Sequence, residues 1–271
     1  MYKYIKNCLA WAISITTVVF TFIPESVFKC CKLIKNASDE VNIIANRILV
    51  FFVVVLVVVI VYTLYLCFRQ SIWIKGKNYN IQVSYGDIIA KTNCKIVIPF
   101  DECFTTVLGE APHQIKLDSV CGQYLAKYPI DNIQALIDAA QVKPERSKSK
   151  YNRQTRYESG TIVPNGDYLL MAFAKLDENG LGRMSRDEYL ECLSKVWQEI
   201  NKHYNQADVC VPILGSGSTR LDDISLAQQE LLDMMIASYK LSTHKIKAPR
   251  TLHIVCKKCD GFSLNRIGDY V

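Results

Sequence analysis

Residues 48–67 form an unbroken run of twenty uncharged, almost wholly apolar side chains. At about 1.5 Å per residue such a run crosses a hydrocarbon core of roughly 30 Å, so the chain must be read as carrying a transmembrane helix. A second apolar stretch, residues 8–23, ends at Pro24. No small-residue cleavage site follows it, because Pro24-Glu25-Ser26-Val27-Phe28 leads directly into Lys29-Cys30-Cys31-Lys32. The two stretches therefore predict a transmembrane hairpin over residues 1–70, with spans at about 8–27 and 44–68. Ser14, Thr16, Thr17 and Thr21 leave an interfacial or re-entrant first segment as the alternative.

The valine-rich segment 53–61 holds no ionisable group, which excludes a proton relay or an ion-selective site within it. Its plain role is an anchor, although membrane helices also pack on one another without charge. Tyr62, Tyr65 and Trp73 fit an interfacial aromatic belt. Lysine and arginine flank every end of both stretches, so charge asymmetry decides little about orientation. Eleven scattered cysteines, an odd number, do not form a disulfide framework and suit a reducing compartment. The expectation is a multi-pass protein of the cell inner membrane with both termini and the C-terminal domain cytoplasmic.

Residues 71–271 read as one soluble domain with a sizeable core. Short apolar or alternating runs at 79–83, 94–100, 161–163, 168–174, 208–214 and 251–256 predict strands. Helical patterns fall between them: one capped by Asp118, one opened by Asp131 and Gln134, one opened by the capping box Ser185-Arg186-Asp187-Glu188, and one over 223–241. Alternating strands and helices imply an α/β sandwich with a mixed sheet covered on both faces. Segment 143–158, with six basic and two acidic residues and almost no aliphatic ones, is expected to be a mobile surface loop. The net charge of +6 suits anionic partners in general, but no nucleic-acid recognition pattern accompanies it.

Two stretches carry possible chemistry. Residues 209–220, Val-Cys-Val-Pro-Ile-Leu-Gly-Ser-Gly-Ser-Thr-Arg, read as a buried strand, a loop and a helix start. Such a loop offers backbone N–H groups to a phosphate, reinforced by the following helix dipole. Gly86-Asp87-Ile88 follows a strand, where an aspartate can accept from an exocyclic amine while the next N–H donates to a ring nitrogen. A plain turn aspartate is the alternative there. Cys256 and Cys259 have half the spacing of a zinc site, which Cys121 or His253 might complete, but no second ligand pair exists. The four histidines form no nucleophile motif, so no triad can be built. Phe262 is a candidate for stacking on a base or ribose, or for ordinary core packing.

Taken with Ile98-Pro99-Phe100-Asp101-Glu102-Cys103-Phe104, Ser119-Val120-Cys121-Gly122-Gln123 and Tyr157-Glu158-Ser159-Gly160-Thr161, this order resembles the macro-domain transmembrane effector subunit of bacterial type II Thoeris antiphage systems. The resemblance implies a macro-like three-layer α/β sandwich with a mixed sheet, preceded by an N-terminal two-helix transmembrane hairpin. It further implies binding of an ADP-ribose-derived signalling nucleotide, such as histidine-ADP-ribose, made from NAD by a TIR-domain enzyme. That diffusible product would be the link to the TIR partner, with the lipid bilayer and a homo-oligomer as the other associations.

Carried over by position, Asp87 and the Ile88 backbone would hold the adenine, and Phe100 would belong to the ligand cleft. Gly122 and Gln123 would form one phosphate-binding turn; Leu214, Gly215, Ser216, Gly217 and Ser218 would form the other. Thr219 and Arg220 would sit where the loop meets its helix, Arg220 adding charge at the diphosphate. Hydrolytic macro domains usually carry an Asn-Ala-Ala-Asn segment where this chain has Pro99-Phe100-Asp101-Glu102-Cys103, so a binding module with no catalytic residue, metal or cofactor is expected. The rival is a membrane-anchored ADP-ribosyl hydrolase using Asp101 and Glu102 as acid and base. A passive anchored scaffold is the third reading.

Overall fold

The structure is a computed structural model that describes residues 2–29, 32–35, 37–217, 219–222 and 226–269. It divides into two compact units, Met1–Arg69 and Gln70–Val271.

The first unit holds α1 (Tyr2–Phe22), the short α2 (Glu25–Lys29) and α3 (Asp39–Cys67). Both α1 and α3 are long and apolar enough to cross a membrane. They pair antiparallel, since the Tyr4 hydroxyl lies 2.7 Å from Thr63 Oγ1 and Asn7 Nδ2 donates to the Tyr62 hydroxyl at 3.1 Å. At the other end Asn46 Nδ2 donates to the Phe28 carbonyl at 2.7 Å and Arg47 pairs with Glu25 at 3.0 Å. Polar pairs thus tie the hairpin at both ends, while Cys8, Ala12 and Val58 fill the contact between them. Ser14, Thr17 and Thr21 donate to carbonyls one turn back, which satisfies their hydroxyls within α1.

The second unit is built on a nine-stranded mixed sheet. Its strands are β1 (Ser71–Lys75), β2 (Asn80–Tyr85), β3 (Cys94–Asp101), β4 (Ile162–Asn165), β5 (Tyr168–Leu176), β6 (Gly182–Met184), β7 (Asp208–Pro212), β8 (Arg220–Leu221) and β9 (Thr251–Cys256). They run in the order β1-β2-β9-β7-β3-β5-β6-β8, with β4 on β5. The five central strands β2, β9, β7, β3 and β5 are mutually parallel. β1 is antiparallel to β2, and β4 and β6 are antiparallel to β5, while the two-residue β8 runs parallel to β6.

Alternation along the strands sends side chains to two cores. Val97, Leu169, Met171, Val209, Val211, Leu252 and Ile254 meet α6 (Arg186–His203) and α7 (Gln228–Leu241) on one face. Ile96, Ile98, Phe100, Leu170, Ala172 and Val255 meet α4 (Val120–Lys127) and α5 (Ile133–Ala139) on the other. Burial on both faces explains why the parallel strands read as continuous apolar runs. The result is the expected three-layer sandwich.

Helix starts follow capping chemistry. Ser185 and Glu188 form the full capping box read from the sequence. The caps of α4 and α5 are Ser119 and Asn132, each one residue beyond the aspartate expected. Helix α7 begins at Gln228 rather than near Asp223, residues 223–225 lying outside those described, and Leu226 and Ala227 are not helical. Its predicted start is further displaced because Arg220 and Leu221 pair with Arg183 and Met184 as an edge strand.

Segment 143–158 is pinned rather than loose. Glu102, only 1% exposed, accepts from the Ser149 hydroxyl at 2.5 Å and from the Leu176 N–H at 3.1 Å, and lies 3.5 Å from Arg156. Arg156 also pairs with Glu145 at 2.6 Å, and Tyr157 is buried. Charge content signalled exposure, but a buried carboxylate across the sheet edge recruits the basic loop.

Candidate functional site

In an open parallel sheet, ligands collect outside the carboxyl ends of strands where the chain leaves in opposite directions. Among the parallel strands, β3 is followed by β5 on one side and β7 by β9 on the other, with the edge strand β8 and α7 intervening between β7 and β9, so the crevice lies above β3 and β7. Strand β7 ends at Pro212 and β8 starts beside β6, four strand positions away, or about 19 Å at the usual spacing. The loop 213–219 must therefore start above β7 and run across the carboxyl ends of β3 and β5.

Within that loop Gly215 has φ +82° and packs under Leu231, Leu221 and Tyr189. The left-handed backbone there favours glycine. Leu214 is buried and anchors the loop, its N–H donating to Met235 Sδ at 3.4 Å and its carbonyl accepting from the Tyr189 hydroxyl at 3.0 Å. The Ser216 hydroxyl donates to the Ile213 carbonyl at 2.7 Å. Gly217 faces open space, with nothing within 4 Å of where a Cβ would sit. Among the described residues, no protein acceptor engages the N–H of Gly215 or Gly217. Ser218 lies outside the described residues.

Two strand positions from β7, about 10 Å, the carboxyl end of β2 presents Gly86, Asp87 and Ile88. Asp87 is exposed; its Oδ1 accepts from the Ile89 N–H at 2.9 Å, and its other oxygen takes no part in that turn. The Ile88 side chain is buried, and no described residue accepts from its N–H. Beside them Tyr85 meets Phe262 edge to face, with ring centroids 5.7 Å apart, and Lys258 Nζ lies 5.3 Å from the Tyr85 ring. The structure thus places Phe262 at the Asp87 end of the crevice. Lys257 reaches the Asp118 carbonyl at 3.3 Å, bringing the start of α4 to the same edge. These two lysines and Tyr85 are functional candidates that sequence reasoning missed. Their only local signal was a doublet between Cys256 and Cys259, and Cys256 itself is buried with its thiol pushed up to about 12 by desolvation.

Several expected contacts are corrected. The Gly122 N–H donates to the Ser119 hydroxyl at 2.9 Å and the Gln123 N–H to the Ser119 carbonyl at 3.0 Å, so neither is free for a phosphate. A Cβ on Gly122 would stand 2.0 Å from the Lys116 carbonyl oxygen, which makes this glycine a requirement of close packing. Phe100 is buried against Phe104 and Tyr124, so its ring does not face the crevice. Thr219 packs beside Gly182, and Arg220 lies on β8, six strand spacings or about 29 Å from β2. Arg220 therefore stands on an edge strand rather than at a helix start, at the far side of the sheet from Asp87.

Asp101 and Glu102 are both buried and hydrogen-bonded within the protein. Asp101 Oδ1 accepts from the N–H groups of Cys103 at 2.8 Å and Thr105 at 3.1 Å. Burial raises its carboxyl pKa above the ordinary value, opposed by those hydrogen bonds. The hydrogen bonds of Glu102 are spent on the 143–158 loop and on β5. Next to them in the chain is Cys103, whose thiol burial pushes up to about 12. What remains in the crevice is backbone N–H groups, lysines, an aromatic pair and one exposed carboxylate, a set suited to holding an anionic nucleotide.

The family model "Thoeris protein ThsA, Macro domain" matches residues 81–257. The Thoeris protein ThsA of Bacillus amyloliquefaciens (strain Y2) is 30% identical over 220 residues, covering 78% of this chain and 73% of that protein. Solved structures are more distant. A variant of the Oceanobacillus iheyensis macrodomain is 10% identical, covers 75% of this chain and 100% of its own, and superposes with a TM-score of 0.49. The macrodomain of Thermus aquaticus DarG is 15% identical over 65% of this chain and 97% of its own, with a TM-score of 0.37. The family model spans more than half of the chain, and the chain belongs to the ThsA macro-domain family of Thoeris proteins.

Proposed function

We propose that this chain is a membrane effector of a Thoeris antiphage system whose macro domain binds an ADP-ribose-derived signalling nucleotide, such as histidine-ADP-ribose, supplied by a TIR-domain enzyme that processes NAD. The observation that carries this reading is the pairing of a free-N–H glycine loop over β3 and β7 with Asp87, Tyr85 and Phe262 two strand positions away. The diphosphate lies against Gly215–Gly217, and the adenine sits at Asp87 with the Ile88 N–H donating to its ring. Lys257 and Lys258 supply positive charge between them. Ligand then favours an oligomer of the soluble unit, gathers the two candidate spans of each copy and breaches the bilayer, with abortive infection as the outcome. That shift requires higher affinity for nucleotide in the assembled state than in the free one.

Binding without turnover is the favoured mode. The two carboxylates a hydrolase would draw on are spent inside the protein, Asp101 on its own turn and Glu102 on Ser149 and Leu176. The test reconstitutes the full chain into dye-loaded liposomes and adds ADP-ribose or histidine-ADP-ribose, with calorimetric titration of the same protein in detergent. Saturable binding with nucleotide-dependent leakage is expected. Equal leakage with and without nucleotide removes the gating claim, and product release from an ADP-ribosylated substrate removes the binding-only claim.

A further inference from the structure

The edge of the sheet opposite the crevice holds a second cluster that nucleotide binding does not use. Cys94 opens β3 and Cys210 sits in the middle of β7, the neighbouring parallel strand. Their register partners are Asp208 and Ile96 respectively, so both cysteines project to the same face, two residues apart along the strands. Their sulfurs approach to 2.8 Å, and both thiols are free. Cys210 is buried whereas Cys94 is half-buried, which gives a solvent-borne reagent access to one sulfur only.

We infer that Cys94 and Cys210 are a dithiol that closes into a reversible intramolecular disulfide on exposure to a hydroperoxide. The Cys94 thiolate attacks the terminal oxygen of the hydroperoxide; the O–O bond breaks, and an alcohol or water leaves once protonated. Cys94 is then a sulfenic acid. Cys210 sulfur attacks that sulfur, the S–S bond forms, the S–O bond breaks, and hydroxide leaves with the proton from Cys210 as water. Two thiols lose two electrons in total, which reduce the hydroperoxide.

The surroundings favour this order of events. The hydrogen bond from Cys210 and the charge of Lys91 lower the pKa of Cys94, against burial and the carboxylates of Asp208 and Asp167. The thiolate is the nucleophile, so Cys94 attacks first. His253 occupies the cross-strand position beside Cys210 but is engaged with Asp208 at 3.3 Å. No group of three metal-ligating side chains occurs among the described residues, so the pair stands as a redox site rather than part of a metal site. Thiol reductants reverse the bridge by exchange at the half-buried Cys94 sulfur.

The experiment treats the full chain in detergent with excess hydrogen peroxide, blocks remaining thiols with N-ethylmaleimide, and maps peptides without reduction. Expected is a peptide linking Cys94 to Cys210 as the main intramolecular crosslink, two fewer of the eleven thiols alkylated, and full recovery after dithiothreitol. Cys94→Ser should abolish both, and Cys210→Ser should trap the sulfenic acid at Cys94, detectable with dimedone. Should either variant fail to fold, the wild-type map decides alone. A wild-type map in which Cys94 and Cys210 stay alkylatable, or in which Cys94 stops at a sulfenic or sulfinic acid, overturns the inference.

Discussion

Replacing Gly217 by glutamate separates binding from folding. No heavy atom lies within 4 Å of the Cβ position, and Gly217 carries no positive φ, so the side chain enters open space without backbone strain. Thermal stability should therefore stay within about 2 °C of wild type, as for a surface substitution of at most about 0.5 kcal/mol. The carboxylate would stand roughly 6 Å from a diphosphate charge bound on the loop. At an effective dielectric constant of about 20, that repulsion is about 2.8 kcal/mol, or roughly a hundredfold in dissociation constant. Gly217→Ala adds the Cβ without the charge and should change affinity by less than about threefold. Calorimetric titration of both variants with histidine-ADP-ribose measures the difference. A glutamate variant that binds as tightly as wild type would refute the placement of the diphosphate over β7 and β3, whatever its melting temperature.

Glu102→Ala leaves the Ser149 hydroxyl and the Leu176 N–H without their acceptor, at about 1–3 kcal/mol each, and should lower the melting temperature by roughly 5–15 °C in a scan of the full chain. A variant that keeps its melting temperature would show that Glu102 is not a structural anchor. Asp101 has a folded-state pKa raised above 3.8, so the folded state takes up its proton first and this group's contribution to stability falls as pH rises through the raised value. Asp101→Asn keeps an oxygen acceptor for Cys103 and Thr105, and should match or exceed wild-type stability at pH 7 with a flatter profile above pH 3.8 in denaturant titrations. Gly122→Ala gains about 1 kcal/mol of helix propensity but drives a Cβ into the Lys116 carbonyl, and a net loss of about 2 kcal/mol should show as a melting temperature lower by roughly 4–8 °C. Two glycines inserted between Arg69 and Gln70 should leave nucleotide affinity within about threefold while abolishing nucleotide-dependent leakage from liposomes.

The parts of the site that were legible in sequence are those set by local chemistry. Gly215 announces itself because a buried strand ending in a left-handed turn demands glycine, and Ser185 with Glu188 announces a helix start by reciprocal capping. What failed depends on partners distant in the chain. Gly122 resembles a phosphate turn, yet the atom that excludes a side chain there is the Lys116 carbonyl of a folded-back loop. Arg220 has helix-start neighbours in sequence, but a two-residue pairing with β6 carries it to the far edge of the sheet. Nothing near Glu102 foretells that Ser149 and Arg156 will close over it. Tyr85 and Phe262 meet only because β2 and β9 are neighbours, a consequence of strand order rather than of any motif.

Strand order also bears on how a nucleotide could act on the spans. β1 is antiparallel to β2, with Ser71 opposite Ser84 and Lys75 opposite Asn80, so the second unit begins at the carboxyl edge of its sheet. There the Gln70 carbonyl accepts from the Tyr85 N–H at 3.1 Å. Gln70 is the residue that follows the membrane-type unit, and Tyr85 precedes Gly86 and Asp87 and touches Phe262. Under the proposed reading the adenine end of the ligand would therefore press on the strand that holds the first residue of the soluble unit. Had β1 run parallel to β2, that residue would lie at the opposite, amino edge of the sheet. A ligand that orders Tyr85 and Phe262 thus needs no long relay through the sheet; one backbone hydrogen bond separates its site from the start of the connection. The glycine insertion works on that short path, since it leaves Asp87, Tyr85 and the 213–219 loop untouched while relaxing the chain that the Gln70 bond holds in register.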